Sequence, residues 1–313
     1  MEKLTIVVPA FNEEEVLNNT LQRLLKIESK LIQAQILDYS SDILVVDDGS
    51  ADQTWKIIKH YHEKSKSIKG IKLSRNFGHQ NALIAGLQEA VVSADLVVTI
   101  DADLQDDPET INEMINCFAG GAEIVYGVRN DRTTDTWFKR NSAGLFYKLL
   151  NLLGVKLIPN HADFRLMSQR AVKTFLQYKE RNLFIRGVIP LLGFSTAKVY
   201  YKRTPRLAGK SKYPLKKMLA FAWNGITSFS IIPVRFILAL GIFTSSLGVV
   251  MFFYSIITKW LGLTVHGWSS LMVSIWILGG LQMISLGIIG EYIGKIMTEV
   301  KQRPRYTIQS YLK

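Results

Sequence analysis

The sequence predicts an α/β fold built on a mostly parallel, doubly wound sheet, followed by two helices of membrane-spanning length. Three observations predict it. Val/Ile/Leu-rich segments of strand length alternate with helical segments through the first 130 residues. Polar clusters stand where those strands end: Asn12-Glu13, Asp47-Asp48, Arg75-Asn76 and Asp101 to Gln105. In an open sheet of this kind ligands bind at the carboxyl ends of the strands, so topology alone brings the four clusters to one crevice. Finally, residues 236–257 and 268–290 carry no charged side chain. Each run is about 22 residues, enough to cross roughly 30 Å of hydrocarbon.

Strands are expected at 4–9, 43–47, 70–73, 96–100 and 124–128, with weak alternation because both faces are covered. Helices are expected at 13–27, 54–64, 81–92 and 108–118. Asp48-Gly49-Ser50-Ala51-Asp52 reads as a turn, with Asp52 capping the helix that follows. Pro108 suits a first helical turn. Beyond the fifth strand the pattern is helical over 137–153 and a polar loop over 160–166, and strand-like at 197–201. Residues 218–230 form an amphipathic pattern with Phe221, Trp223 and Phe229 as interface anchors.

The chain has 313 residues, 48% of them hydrophobic and 20% charged, with a formal net charge of +12. The positive excess is clustered: residues 198–217 hold eight basic side chains and no acid. Lys295, Lys301, Arg303 and Arg305 follow the second apolar run, while the link between the runs carries only Lys259. By the positive-inside rule both flanks face the cytoplasm. A basic stretch beside a membrane span fits anionic headgroups better than nucleic acid, so a lipid bilayer is the expected partner. The apolar segment 4–10 is short and runs into three glutamates, so it reads as a strand and not a secretory signal. The single cysteine, Cys117, excludes an intramolecular disulfide and a cysteine metal cluster. The expected organisation is a cytoplasmic domain at 1–217, a juxtamembrane segment at 218–235, two transmembrane helices at 236–290 and a basic tail at 291–313.

Asp101-Ala102-Asp103-Leu104-Gln105 follows a buried-strand pattern directly. Two carboxylates and an amide at a strand end offer hard oxygen ligands for a divalent cation. Neither His79 nor His161 has a partner at ligand spacing, and His79 reads as a polar loop or packing residue.

Six segments now stand in order: Val8 to Glu14, Val46 to Ser50, Arg75-Asn76-Phe77-Gly78-His79, Asp101 to Gln105, Asp163-Phe164-Arg165, and Arg206 to Tyr213. The series resembles the family 2 glycosyltransferases of GT-A fold. It is most similar to the branch of dolichyl-phosphate mannose synthase and the bacterial GtrB-like polyprenyl-phosphate glycosyltransferases, which carry two C-terminal spans.

The resemblance implies roles. Pro9, Phe11 and Glu13 line the base and ribose pocket, Asp48 accepts hydrogen bonds from base or ribose, and Arg75 lies near the base. Asp101, with Ala102, meets the ribose or donor sugar. Asp103 and Gln105 hold Mg²⁺ or Mn²⁺ against the donor diphosphate. Arg129, Arg140, Arg206 and Lys212 contact the donor diphosphate or the acceptor phosphate, with Arg129 and Arg140 assigned to the acceptor. Gly209 lets the loop around Arg206 and Lys212 close as a lid. Asp163 occupies the place of a catalytic base, although an ionised phosphate acceptor hardly needs one. Its alternatives are orienting the sugar or pairing with Arg165. The implied reaction is inverting transfer of a monosaccharide, UDP-glucose first among donors, to polyprenyl (undecaprenyl) phosphate at the inner face of the cell membrane, by a homo-oligomer resembling tetrameric relatives.

Two rivals remain open on sequence. A processive polysaccharide synthase shares the fold, but Gln302-Arg303-Pro304-Arg305-Tyr306 lacks the tryptophan expected of a chain-binding motif and follows the last span. An inactive membrane scaffold would not need the acidic and cationic sets.

Overall fold

The computed structural model describes residues 1–130, 161–181, 184–202, 232–261 and 267–313. The chain forms two compact units. One contains the described residues up to 202 together with Arg303–Lys313; the other contains the long apolar helices.

In chain order the first unit has β1 (Leu4–Ala10), α1 (Leu17–Gln33), β2 (Asp42–Asp47), α2 (Thr54–Lys64), β3 (Ile68–Leu73), α3 (His79–Ala90) and β4 (Leu96–Thr99). There follow α4 (Ile111–Ala119), β5 (Ile124–Arg129), β6 (His161–Ser168), α5 (Gln169–Phe175), the short α6 (Ile185–Val188) and β7 (Thr196–Tyr201). The last strand, β8 (Ile308–Leu312), comes from the C-terminal end. The strands form one sheet in the order β7-β5-β6-β4-β1-β2-β3-β8. β4-β1-β2-β3 are parallel, as is β5 with β7, whereas β6 and β8 run antiparallel to their neighbours.

β1 and β2 are buried along their whole length, as parallel strands covered on both faces must be. Pro9 is tolerated in this central strand for a local reason. The Val7 carbonyl accepts from Ile100, so Pro9, two residues on, turns its missing N–H to the same side, beyond the end of β4. α3 approaches β1 closely because residue 86 is glycine: a methyl group there would lie 2.3 Å from Val7 Cγ1.

Most expected elements are present, with shifted ends. α1 begins at Leu17 instead of residue 13 because Glu13 and Glu14 bind the loop after β2. Asp52 does accept from the Thr54 N–H at the start of α2. One expectation is corrected. Residues 161–166, read as a polar loop, belong to the interior strand β6. Its polar side chains His161, Asp163 and Arg165 share one face, and Asp163 and Arg165 pair inside the protein. The basic tail divides: helix continues to Val300, and Ile308–Leu312 becomes an edge strand. β8 covers the open edge of β3, which would otherwise invite pairing with another chain. It is pinned by Tyr311 to Glu89, Tyr306 to Gln88, and Arg305 Nη2 to the carbonyls of Tyr178 and Glu180, both at 2.9 Å.

The second unit contains α7 (Ile232–Trp260) and α8 (Trp268–Val300), 29 and 33 residues long. Both are long and apolar enough to cross a membrane. Large apolar side chains such as Phe236, Leu238, Phe243, Met283 and Ile284 are exposed along them, a surface that water penalises and lipid does not. Arg140, Arg206, Lys212, the 137–153 helix and the 218–230 amphipathic segment lie outside the described residues.

Candidate active site

The loops after β1, β2, β3 and β4 converge at the carboxyl edge of the parallel strands, where the sequence clusters are expected. The β1 and β2 loops are interlocked. Asn12, at φ +52°, donates its N–H to Ser50 Oγ at 2.9 Å and accepts from Ala51 N–H at 2.9 Å. Glu13 N–H donates to Thr54 Oγ1 at 2.9 Å. Phe11 and Glu13 are half-buried beside this junction, whereas Pro9 is buried in the strand. Asp47 is fully buried and accepts from Ser50 N–H at 2.9 Å; burial raises its pKa despite that bond.

Asp48 is committed to the protein. One carboxylate oxygen accepts from Phe77 N–H at 2.7 Å and the other from Gly78 N–H at 2.9 Å. Burial raises its pKa against both bonds. It therefore clamps the loop that carries Arg75, a role the sequence reading did not include. Gly49 is required at the same junction: at φ +69°, a Cβ would stand 2.3 Å from the Arg75 carbonyl carbon. The exposed Arg75 guanidinium lies 4.0 Å from the Phe77 ring centroid and donates to the Asn76 carbonyl.

The Asp101–Gln105 loop is bent by Leu104, a buried leucine at φ +52°. A branched residue in the left-handed region carries strain, which surrounding structure must offset. Gln105 N–H donates to Asp103 Oδ1 at 3.2 Å. Ala102 is packed in the core, and its carbonyl accepts from Thr20 Oγ1 at 2.6 Å; it shapes the loop and offers no side-chain contact. Asp101 Oδ1 and Asp106 Oδ2 are buried without a hydrogen-bond partner. No group of three or more His, Cys, Asp or Glu gathers to hold a metal among the described residues. The oxygen-only donor set of Asp103 and Gln105 nevertheless fits Mg²⁺ or Mn²⁺, because such an ion commonly takes one or two carboxylates and completes its shell with substrate phosphates.

Arg129, at the end of β5, is held by Asp106. Its Nε and Nη2 donate to Asp106 Oδ1 at 3.0 and 2.7 Å, and Tyr201 donates to the same oxygen at 2.5 Å. Burial alone would lower the arginine pKa, but Asp106 raises it, so the cation persists at all working pH. The arrangement fixes Arg129 to Asp106, next to the Asp101–Gln105 loop.

On the neighbouring strand Asp163 is surrounded by cations. Arg165 pairs with Oδ1; Arg186, from α6, donates Nε to Oδ1 at 3.2 Å and Nη2 to Oδ2 at 2.9 Å. His79 Nε2 lies 3.3 Å from Oδ2 and 3.5 Å from Asp101 Oδ1. Burial would raise the Asp163 pKa, yet Arg186, His79 and Arg165 hold it well below the usual carboxylate range. Asp101 moves the other way: burial lifts it to about 6 against the attraction of His79. Of the roles left open for Asp163, pairing with Arg165 is the one its contacts display.

His79, Asp106, Arg186 and Tyr201 were not singled out as site residues. The usable signal is for His79 alone, which ends the strand-end segment Arg75-Asn76-Phe77-Gly78-His79.

A strand-end acidic loop, an adjoining cation set and two apolar helices define a membrane-associated glycosyltransferase of the GT-A type. The chain belongs to glycosyl transferase family 2, whose profile matches residues 5–176. A second profile, the GtrB C-terminal hairpin, matches residues 232–296. The chain is 53% identical over 97% of its length to the uncharacterized glycosyltransferase YkoT of Bacillus subtilis, covering 90% of that protein. It is 40% identical over 98% of its length to the bactoprenol glucosyl transferase of Shigella phage SfX, covering 99% of it. Among solved structures, mannosyl-3-phosphoglycerate synthase from Rubrobacter xylanophilus is similar at 18% identity and a TM-score of 0.49, with 71% of each chain covered.

Proposed function

We propose that this glycosyltransferase moves one hexose, glucose from UDP-glucose first among the candidates, onto a polyprenyl phosphate at the cytoplasmic face of the membrane. The observation that carries the proposal is the full-length 40% identity to a bactoprenol glucosyl transferase. That similarity runs through both the strand-end site and the apolar hairpin.

The chemistry needs few steps. An oxygen of the acceptor phosphate attacks the anomeric carbon while the bond from that carbon to the nucleoside diphosphate breaks. An α-linked donor thereby gives a β-linked product. The acceptor is ionised near neutrality, so no protein group has to take a proton. Asp163, fully engaged with cations, fits orientation better than base catalysis. Phe11, Glu13 and Arg75 supply the base and ribose pocket, and Asp101 meets the sugar. Asp48 serves by holding the Arg75 loop in place. Arg129, with Arg140, Arg206 and Lys212, provides positive charge for the phosphates. Mg²⁺ or Mn²⁺, bound by Asp103 and Gln105, would supply Lewis-acid stabilisation of the departing diphosphate.

Chain topology fits a site on the same side as both hairpin flanks, and the basic flanks favour the cytoplasmic side. The chain passes through α7 and α8 and then returns a strand, β8, to the sheet of the catalytic unit. Both ends of the hairpin therefore share one side of the bilayer, which requires an even number of crossings. We extend the proposal to the boundaries 1–217, 218–235, 236–290 and 291–313, with the last segment contributing β8, and to a homo-oligomer. Replacing Asp103 tests the catalytic part: Asp103→Ala in the full-length protein lowers transfer at least a hundredfold while α7 and α8 still deliver it to membranes. Unchanged formation of lipid-linked hexose by this variant contradicts the proposal.

A further inference from the structure

The carboxylates of Asp101 and Asp163 come from different strands and point into one crevice. Like charges placed together repel, and without a shared counter-ion one of them protonates or turns away. Arg165 and Arg186 each pair with Asp163. Among the described residues, His79 is the cation within ion-pair distance of both carboxylates, at 3.5 Å from Asp101 and 3.3 Å from Asp163. Asp101 Oδ1, the oxygen facing the imidazole, is buried and has no hydrogen-bond partner.

Its position is built and not incidental. His79 opens α3, directly after Gly78 at φ +95°. Asp48 anchors the two preceding amides, and Asn81 Nδ2 donates to the Phe77 carbonyl at 2.8 Å. Thr99 Oγ1 holds the Asp163 carbonyl from β4. A helix N-terminus repels an imidazolium, so an ordinary sequence would not place a cation here. The two acids overcome that cost. Burial lowers the His79 pKa, but Asp101 and Asp163 together raise it to about 9.

We infer that His79 is a positioning residue for the transfer reaction, a cationic bridge that fixes Asp101 against the cation-bound Asp163 so that the exposed part of the Asp101 carboxylate faces the hydroxyls of the donor sugar. The inference rests on the proposed function and adds to it a residue that acts through two others. The imidazole does not touch the phosphates and takes no proton from the acceptor. Its effect is on the orientation of the bound sugar, hence on turnover and donor KM, and not on affinity for the lipid phosphate.

The test uses full-length protein in detergent with undecaprenyl phosphate and the active nucleotide sugar. His79→Ala and His79→Gln are expected to lower kcat tenfold to a hundredfold at saturating donor, with the acceptor KM changed less than twofold. Because the side chain is 40% exposed, imidazole added at pH 6.5 reaches the space left in His79→Ala and restores at least a tenth of the lost activity. A residue serving only to fold the loop would show a lower melting temperature and no rescue. Turnover within twofold of wild type in both variants, or loss without rescue, overturns the inference. Absence of transfer by wild-type protein with every donor rejects the proposed function itself, a separate result.

Discussion

Asp163 shows how a single carboxylate can be legible in sequence while its work stays open between base, sugar orientation and pairing with Arg165. Its position in Asp163-Phe164-Arg165 marked it, but the neighbours that decide its chemistry, His79 and Arg186, lie far from it in sequence. Removing its charge leaves Arg165, which is almost fully buried, without its partner. Breaking a buried pair from one side costs about 3–5 kcal/mol. Asp163→Asn is therefore expected to lose roughly 3 kcal/mol of stability at pH 7, measured by urea unfolding in detergent. The sign of its pH dependence follows from the depressed folded pKa. The stabilisation is fully present above the ordinary carboxylate pKa and disappears as pH falls through the folded value. The stability gap between wild type and Asp163→Asn thus narrows as pH falls below about 4. A gap undiminished between pH 5 and pH 3 would contradict this account. Asp48 teaches the same lesson: a strand-end aspartate can serve the ligand or the loop, and only the two amides it accepts from reveal which.

Elements are legible in sequence where the burial pattern is simple. β1, β2 and α2 follow from uninterrupted apolar runs and from the turn at Asp52. β6 is not legible, because Asp163 and Arg165 look like a solvated loop until their pairing inside the protein is known. β8 is not legible because a short strand after a long apolar helix is defined by its partner β3, and pairing of that range is invisible to local pattern. One helix carries its own testable cost. Glu28, on the inner face of α1, is 3% exposed, and Oε1 has no hydrogen-bond partner. Burial, with Asp42 nearby, raises its pKa to about 8. An acid with a raised folded pKa stabilises least when the unfolded chain ionises it, so its penalty grows from about pH 4.5 and levels off above 8. Glu28→Gln should therefore leave stability nearly unchanged at pH 5 and raise it by roughly 1–3 kcal/mol at pH 8. A melting-temperature difference that is the same at both pH values would count against it.

At the scale of the molecule, two kinds of surface are joined in one chain. The catalytic unit hides its apolar residues in a sheet covered by helices, and α7 and α8 expose theirs. The charge-free runs made that division legible in sequence, as did the basic flanks. The return of β8 to the first sheet was not legible, yet it constrains topology most strongly. In a Cys117→Ser background, a cysteine at His266 in the link is expected to react with an impermeant maleimide in intact cells, and one at Lys313 only after permeabilisation. Equal labelling of both would refute the hairpin. Deleting residues 303–313 should uncover the β3 edge and produce aggregation or new association, visible by size-exclusion chromatography.

The central claim is that a site at the strand ends places a sugar on a membrane-held phosphate. Purified full-length protein, incubated with undecaprenyl phosphate, Mg²⁺ or Mn²⁺ and a panel of nucleotide sugars, tests it by mass spectrometry of the lipid phase. The predicted result is a lipid phosphate carrying one hexose, strongest with UDP-glucose and absent with EDTA. A polymer growing with time in place of the monosaccharide, or no lipid-linked product from any donor, would contradict the account.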